Sequence, residues 1–79
     1  MTLPKTILDF LNSNAKRIGV QALGEDDNLF TLGVIDSFAL INLISILEQE
    51  YGIKIPDDDV EPINFQTINA IKRYITQKG

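Results

Sequence analysis

Apolar residues recur at steps of three and four positions in three separate segments of the chain. This spacing places side chains on one face of an α-helix, so it predicts three amphipathic helices. The first two segments are followed by Gly19 and Gly52, and glycine is common where helices end. The predicted buried faces are Leu3, Ile7, Leu11, Ala15 and Ile18 in the first helix, Leu40, Leu43, Ile44, Leu47 and Tyr51 in the second, and Ile68, Ile71, Tyr74 and Ile75 in the last.

Capping residues indicate where the first two helices begin. The first is predicted over residues 4–18, because the missing N–H of Pro4 would be unpaired in a first turn in any case. The second is predicted over residues 37–51, and either Asp36 or Ser37 can be its N-cap. These two helices supply most of the predicted core.

The connecting segments complete an all-α architecture. Residues 19–36 hold too many apolar side chains to remain in water, so we expect a long loop packed across the helices. Residues 56–61 can form one or two turns of helix closed by Pro62. Asn64 and Thr67 are both possible N-caps for the last helix, and Thr67 is the better one. Residues 53–55 alternate like a strand but have no partner strand. The expected fold is a four-helix bundle with a short third helix and a long ordered loop between helices one and two.

Cysteine and histidine are both absent from the 79 residues. Their absence excludes disulfides, thiol nucleophiles, and thiolate or imidazole metal sites, and it removes the commonest general base. Without a base close to it in the sequence, a nucleophilic serine is poorly supported, so no enzyme activity is expected. A chain of this length has room for one small core, and we predict a single domain over residues 1–79.

Charge is unevenly distributed along the chain. Seven Lys and Arg against eleven Asp and Glu give a net charge of −4, which disfavours nucleic acid as a partner. Residues 25–61 contain ten acidic residues and one lysine, hence 1 − 10 = −9. This acidic middle indicates either a docking surface for a basic partner or a solvated surface. The aspartates at 57–59 lack the spacing of a calcium loop, and we expect no metal site.

No segment has the pattern of a membrane span or a signal peptide. The longest apolar-rich stretch, residues 38–47, is about ten residues long and contains Asn42 and Ser45, so it is too short to cross a bilayer. We therefore expect a cytoplasmic monomer that binds neither membranes nor nucleic acid.

The most distinctive motif is an Asp-Ser pair at the start of the second helix. Residues 32–38 read Leu-Gly-Val-Ile-Asp-Ser-Phe. They place the hydroxyl of Ser37 at a helix N-terminus, just after a turn that contains Gly33. Backbone N–H groups and the helix dipole favour a phosphate ester at such a position. Taken alone, the same serine could simply cap its helix.

The motif resembles the attachment site of acyl and peptidyl carrier proteins, with Gly33, Asp36 and Ser37 at the matching positions. The resemblance extends in order along nearly the whole chain, at the length of a free-standing carrier. The flanking segments that also resemble the family are residues 27–30, 47–56 and 64–71.

The resemblance implies a covalent cofactor. Ser37 would accept 4′-phosphopantetheine from coenzyme A, transferred by a magnesium-dependent phosphopantetheinyl transferase that recognises Asp36. The thiol of the cofactor would carry an acyl or aminoacyl group as a thioester to a loading enzyme and to downstream biosynthetic enzymes. A chain without catalytic side chains can work in this way because the cofactor supplies the sulfur.

The outward face of the second helix departs from the fatty-acid carriers, which place several carboxylates there. Here the face has one carboxylate, Glu48, and Ser37 is followed by Phe38 where the family usually has Leu. These departures favour a specialised polyketide or nonribosomal-peptide type of pathway. The alternatives are a carrier for general fatty-acid synthesis and a small helical interaction module that carries nothing. The residues expected to bind partners are Phe38, Ile41, Asn42, Ser45, Glu48 and Asp57.

Overall fold

The computed structural model describes residues 2–78, and this part of the chain contains helices and loops but no strand. The all-α prediction is therefore confirmed. The predicted count of four helices is not confirmed, because two additional helices of one turn lie in segments predicted to be non-helical. The elements are α1 (Lys5–Arg17), α2 (Leu29–Leu32), α3 (Ser37–Tyr51), a 3-10 turn (Asp57–Asp59), α4 (Pro62–Phe65) and α5 (Ile68–Lys78).

One hydrophobic core joins the three long helices. α1 packs against α3, and α5 packs against α4. The predicted faces are largely confirmed, but Ile18 is 46% exposed. It follows the last residue of α1 with φ −105°, so its side chain leaves the buried stripe. Leu40, Ile44 and Tyr51 of α3 are only half-buried. The fully or nearly fully buried residues of the long helices are Ile7, Leu11, Ala15, Leu43, Leu47, Ile68, Ala70, Ile71, Tyr74 and Ile75.

The loop between α1 and α3 is interrupted by α2. The side chain of Asn28 caps α2 by accepting hydrogen bonds from two backbone N–H groups, both at 3.0 Å. Gly33 ends the helix with φ +84°, a left-handed conformation that favours glycine. The N–H groups of Val34 and Ile35 then both donate to the carbonyl oxygen of Leu29, at 2.9 and 3.1 Å. The chain is thereby fixed in position directly before α3.

Pro62 begins a helix and does not close one, contrary to the prediction. Only the 3-10 turn Asp57–Asp59 forms within residues 56–61. Pro62 is the first residue of α4, where a missing N–H costs nothing. The predicted cap of α5 is confirmed, because Thr67 Oγ1 accepts a hydrogen bond from the N–H of Ala70 at 2.9 Å.

Acidic residues attach the long loop to α5. Glu25 Oε1 lies 2.6 Å from Lys72 Nζ, and the backbone carbonyl of Glu25 accepts a hydrogen bond from the N–H of Asn69 at 3.0 Å. Asp26 Oδ1 accepts a further bond from the side-chain amide of Asn69, at 2.8 Å. Part of the acidic middle of the sequence is therefore used within the fold.

The longest helix, α3, has 15 residues. Across residues 2–78, no helix combines the length and the apolar character that crossing a membrane requires.

Candidate functional site

Asp36 and Ser37 have separate roles at the start of α3. Asp36 has an extended backbone (φ −120°, ψ −168°), and its Oδ1 accepts a hydrogen bond from the N–H of Ala39 at 2.8 Å. Ser37 is the first residue of the helix and is exposed. Its hydroxyl makes no hydrogen bond to any part of the chain that the structure describes. Since Asp36 is the cap, the hydroxyl of Ser37 is left available for chemistry.

The backbone beside Ser37 is suited to a phosphate ester. Within residues 2–78, the N–H groups of Ser37 and Phe38 have no hydrogen-bond acceptor. Such free N–H groups in a first turn carry the positive end of the helix dipole and attract anions. A phosphate attached to Ser37 Oγ would lie next to both groups. The local structure therefore fits a phosphodiester-linked cofactor at this position.

Contacts on the α1 side fix the segment that precedes the site. Val34 and Ile35 are each only 2% exposed. The side-chain amide of Asn14, on α1, donates a hydrogen bond to the backbone carbonyl of Val34 at 3.2 Å. These contacts anchor the two residues before Asp36, so the site rests on the core although its hydroxyl faces solvent.

An open cavity of about 320 Å³ lies next to the site, between α1 and the first turns of α3. Asn14 and Arg17 of α1 line it from one side, and Asp36, Phe38 and Asn42 line it from the other. Its wall thus combines an aromatic ring with amide and charged groups. The sequence did not indicate this cavity, because the residues that form it come from two helices far apart in the chain.

The outward face of α3 carries large apolar side chains. Phe38 is 81% exposed and Ile41 is 62% exposed. Asn42 and Ser45 are exposed beside them. Ile63, on α4, is a further large apolar side chain and is 66% exposed. The sequence pattern does not reveal it, because a helix of four residues is too short to show periodicity.

Two acidic residues, Glu48 and Asp57, are also predicted to bind partners, and their surroundings differ from those of Phe38 and Ile41. Glu48 is half-buried, and its Oε2 accepts a hydrogen bond from the backbone N–H of Ile55 at 2.8 Å. Its carboxylate is therefore engaged within the fold. Asp57 is exposed, but it lies in the 3-10 turn and not on α3.

Asp59, the last of the three aspartates at 57–59, is bonded to two residues of α5. Asp59 Oδ2 accepts a hydrogen bond from the hydroxyl of Tyr74 at 2.7 Å and lies 3.0 Å from Lys78 Nζ. These contacts, the one from Tyr74 first, hold the pKa of the Asp59 carboxyl below its usual value. Burial, followed by the hydrogen bond to Asp59, raises the pKa of Tyr74 to about 12. Within the described part of the chain, no cluster of three acidic side chains is placed to hold a metal ion.

This chain is similar to a family of phosphopantetheine-binding domains and to acyl carrier proteins. A family model described as "Phosphopantetheine attachment site" matches residues 6–75. An acyl carrier protein of Clostridium perfringens is 36% identical over 75 residues, which cover 95% of this chain and 90% of the relative. An acyl carrier protein of Caulobacter vibrioides is 32% identical over 74 residues, which cover 94% of this chain and 86% of the relative.

A solved structure has the same fold. One chain of a crystal structure described as that of an FAD-dependent dehydrogenase matches with a TM-score of 0.73 and 28% sequence identity. The match covers 87% of this chain and 97% of the other. The matched chain is therefore about as short as this one.

Proposed function

The chain belongs to the phosphopantetheine-attachment family of acyl carrier proteins, which are carriers and not enzymes, and from this membership we propose that Ser37 is the residue that receives 4′-phosphopantetheine. The observation that carries the proposal is the exposed Ser37 hydroxyl, which has no partner within residues 2–78 because Asp36 caps the helix. The cofactor would supply a thiol, which a chain without cysteine lacks, to carry acyl or aminoacyl cargo as a thioester.

In the proposed transfer, a phosphopantetheinyl transferase acts on coenzyme A and this chain. Ser37 Oγ forms a bond to the phosphorus that bears the pantetheine, a P–O bond of the coenzyme A pyrophosphate breaks, and adenosine 3′,5′-bisphosphate leaves. A base of the transferase takes the serine proton. Asp36 holds the first turn of α3 in place with Oδ1. Its second oxygen, Oδ2, makes no hydrogen bond within residues 2–78 and is available to the transferase. The two free N–H groups of the first turn then face the new phosphodiester.

The proposal is tested by intact mass after incubation with coenzyme A and a broad-specificity transferase. The wild-type chain is expected to gain the mass of one phosphopantetheine group. Ser37→Ala is expected to gain none while it keeps its helical circular dichroism. Ser45→Ala removes another exposed hydroxyl of α3, and we expect it to be modified like the wild type. Modification of Ser37→Ala, or no modification of the wild type, would contradict the proposal.

For the pathway, we propose a specialised carrier of the polyketide or nonribosomal-peptide type. The outward face of α3 supports this, because Phe38 and Ile41 dominate it and its one carboxylate, Glu48, is bonded to the backbone of Ile55. Enzymes that recognise several carboxylates on this face with Arg and Lys would find only Glu48, and one oxygen of its carboxylate is already bonded within the fold. Partners should instead offer an apolar pocket for Phe38 and Ile41.

A carrier for general fatty-acid synthesis is the second candidate. The names of the two relatives favour it, since both are acyl carrier proteins. Malonyl loading of the modified chain by a fatty-acid synthesis transacylase distinguishes the two candidates. Loading as fast as that of the transacylase's own carrier would support the general role, and loading at least about tenfold slower would support the specialised one.

A flavin-dependent dehydrogenase is the first partner enzyme to test. The solved structure with the same fold is described as that of such an enzyme. A dehydrogenase of this class would take two electrons and two protons from the carrier-bound acyl group and reduce its FAD to FADH₂. Bleaching of the flavin absorbance on addition of the loaded carrier, but not of the unloaded one, is the expected result.

The docking face is tested with two variants that add the same charge to α3. Ile41→Asp removes an apolar contact worth about 1.5–3 kcal/mol, so we expect loading by the cognate enzyme to slow by tenfold or more. Ser45→Asp adds a carboxylate to the same face without removing an apolar side chain. Equal slowing by both variants would show that charge, and not apolar contact, governs docking. Modification of Ser37 should survive in both.

The same family membership also bears on the partners and the domain organisation of the chain. Family membership implies contacts with a transferase and with biosynthetic enzymes. We propose that residues 1–79 act as one carrier domain, since the buried apolar residues join in a single core, and that this domain is a monomer.

A further inference from the structure

Ser37 lies between two residues that line the 320 Å³ cavity between α1 and α3, although it is not itself a lining residue. The residues directly before and after it, Asp36 and Phe38, both line the cavity. A group attached to Ser37 Oγ therefore begins at the rim. The volume is at the lower end of the range for small-molecule sites, so the cavity has room for part of a cofactor arm but not for a long acyl chain as well.

The lining of the cavity complements a phosphodiester arm. Arg17 is its one cationic residue, and Arg17 forms no ion pair within residues 2–78. A guanidinium can bind phosphate oxygens through two N–H groups. The side-chain amide of Asn42 also has no hydrogen-bond partner among the described residues. Phe10 and Phe38 supply apolar surface beside these polar groups.

Charge supplies a reason for such a contact. A phosphodiester on Ser37 would place a negative charge on the residue next to Asp36, and it would be repelled by the carboxylate of Asp36. The middle of the chain, residues 25–61, carries −9 in total. Arg17 lines the same cavity from α1, so its positive charge would offset this repulsion.

We propose, on the premise that Ser37 is the attachment site, that this cavity is the resting place of the first part of the phosphopantetheine arm when no partner enzyme is bound. Arg17 binds the phosphodiester, Asn42 bonds to the polar groups next along the arm, and Phe10 and Phe38 cover its methyl groups. A partner that contacts Phe38 would displace the arm from this place. Docking would thus be coupled to delivery of the cargo.

The test compares nuclear magnetic resonance spectra of the unmodified and modified protein. In the wild type, attachment is expected to shift resonances of Asn14, Arg17 and Ile18 on α1 and the side-chain amide of Asn42. Nuclear Overhauser effects are expected between the arm's methyl groups and the rings of Phe10 and Phe38. Arg17→Gln should reduce the α1 shifts by at least half and weaken those effects.

Lys16→Gln is the matched control. It removes one positive charge from the same exposed turn of α1, but Lys16 does not line the cavity. Its spectra should match those of the wild type. Shifts confined to residues 36–39 in the modified wild type, or equal effects of the two variants, would overturn the inference and leave the attachment site standing. A chain whose mass shows no modification would instead overturn the proposed function and, with it, this inference.

Discussion

At the scale of single residues, Asp36 and Ser37 have different roles at the start of α3. Asp36 caps the helix, and Ser37 carries a hydroxyl that is unbonded within residues 2–78. The carboxylate of Asp36 satisfies the N–H of Ala39, so the hydroxyl of Ser37 is not needed as a cap. The N-terminus of α3 therefore combines a fixed backbone with a hydroxyl that is exposed and, in the described part of the chain, unbonded. If the transferase also recognises Asp36, one side chain serves both stability and recognition, and substitutions can separate the two.

Asp36→Asn and Asp36→Ala are expected to differ in stability but not in modification. Asn caps helices about as well as Asp, so Asp36→Asn should change the free energy of unfolding by less than about 0.5 kcal/mol. Asp36→Ala loses the cap and should cost about 1 kcal/mol. Both lack the carboxylate, so both should slow modification of Ser37. Urea unfolding and time-resolved intact mass measure the two effects, and normal modification of Asp36→Asn would show that the carboxylate is not recognised.

The sequence was sufficient to locate this pair but not its surroundings. Helix spacing and capping preferences act over a few residues, and they led to Asp36, Ser37 and the exposed Phe38. The bond between Glu48 and the backbone of Ile55 depends on how the chain turns after α3, so the local pattern left Glu48 on the outward face. The position of Arg17 beside the site depends on the packing of α1 against α3.

At the scale of elements, the 3-10 turn is joined to α5 by a polar cluster. Asp59 accepts from Tyr74 and pairs with Lys78, whose Nζ also lies 5.9 Å from the centre of the Tyr74 ring. The ring of Tyr74 packs on that of Phe65, with centroids 5.1 Å apart. These contacts join the 3-10 turn, α4 and the last helix into one unit on the side of the core formed by α5.

Tyr74→Phe is expected to lower the melting temperature in a pH-dependent way. The pKa of Asp59 is lowered in the fold, so the ionised carboxylate stabilises the folded state at pH values above its ordinary pKa near 4. This stabilisation is lost as the pH falls through the lowered pKa. The pKa of Tyr74 is raised to about 12, so the protonated hydroxyl stabilises the folded state at pH values below about 10. This stabilisation is lost as the pH rises through the raised pKa. The gap between wild type and Tyr74→Phe should therefore narrow in acid.

The matched control for this prediction is Tyr51→Phe. In residues 2–78 the hydroxyl of Tyr51 bonds to no carboxylate, and its pKa is raised mainly by burial and then by Glu50. Thermal melts across the acid range should show a constant gap for this variant. A gap for Tyr74→Phe that stays equally constant would show that the bond to Asp59 does not contribute to stability.

Substitutions along α3 test which face of the helix is in the core. Leu47 is fully buried, so Leu47→Ala should cost about 2–5 kcal/mol, a large part of the stability of so small a protein. Ser45 is exposed and alanine is the better helix former, so Ser45→Ala should change stability by less than about 0.5 kcal/mol. Denaturant titrations measure both, and equal losses would mean that the helix is phased differently.

The long elements followed from the sequence and the short ones did not. The bounds of α3 agree with the prediction because an N-cap, a regular apolar stripe and Gly52 all indicate the same helix. α2 and α4 have four residues each, too few for periodicity to reveal. Their positions depend on tertiary bonds, such as the one from the N–H of Leu29 to the carbonyl of Gln66 at 2.7 Å.

At the scale of the whole molecule, negative and positive charges are concentrated in different parts of the chain. The net charge is −4, although residues 25–61 alone carry −9. The termini are therefore positive, and Glu25 and Asp59 are paired with Lys72 and Lys78 near the end of the chain. The remaining acidic residues repel one another in the folded state, and salt should relieve this repulsion.

Salt is expected to raise the melting temperature through screening alone. Asp59 is engaged by Tyr74 and Lys78, and the described residues contain no cluster of three acidic groups able to hold a metal ion. Magnesium chloride and sodium chloride at matched ionic strength should therefore give equal shifts. Differential scanning calorimetry measures them, and a larger shift with magnesium would indicate a bound cation.

The central claim is that this carrier is modified at Ser37 and nowhere else. Cleavage after Arg17 and Lys54 releases residues 18–54, a peptide that holds Ser37 together with Ser45 and Thr31 as alternative aliphatic hydroxyls. Fragmentation of this peptide from the modified protein by tandem mass spectrometry locates the added group directly. We predict fragment ions that place phosphopantetheine on Ser37 in every modified molecule. Fragment ions that place it on Ser45, on Thr31 or on another peptide would contradict the account.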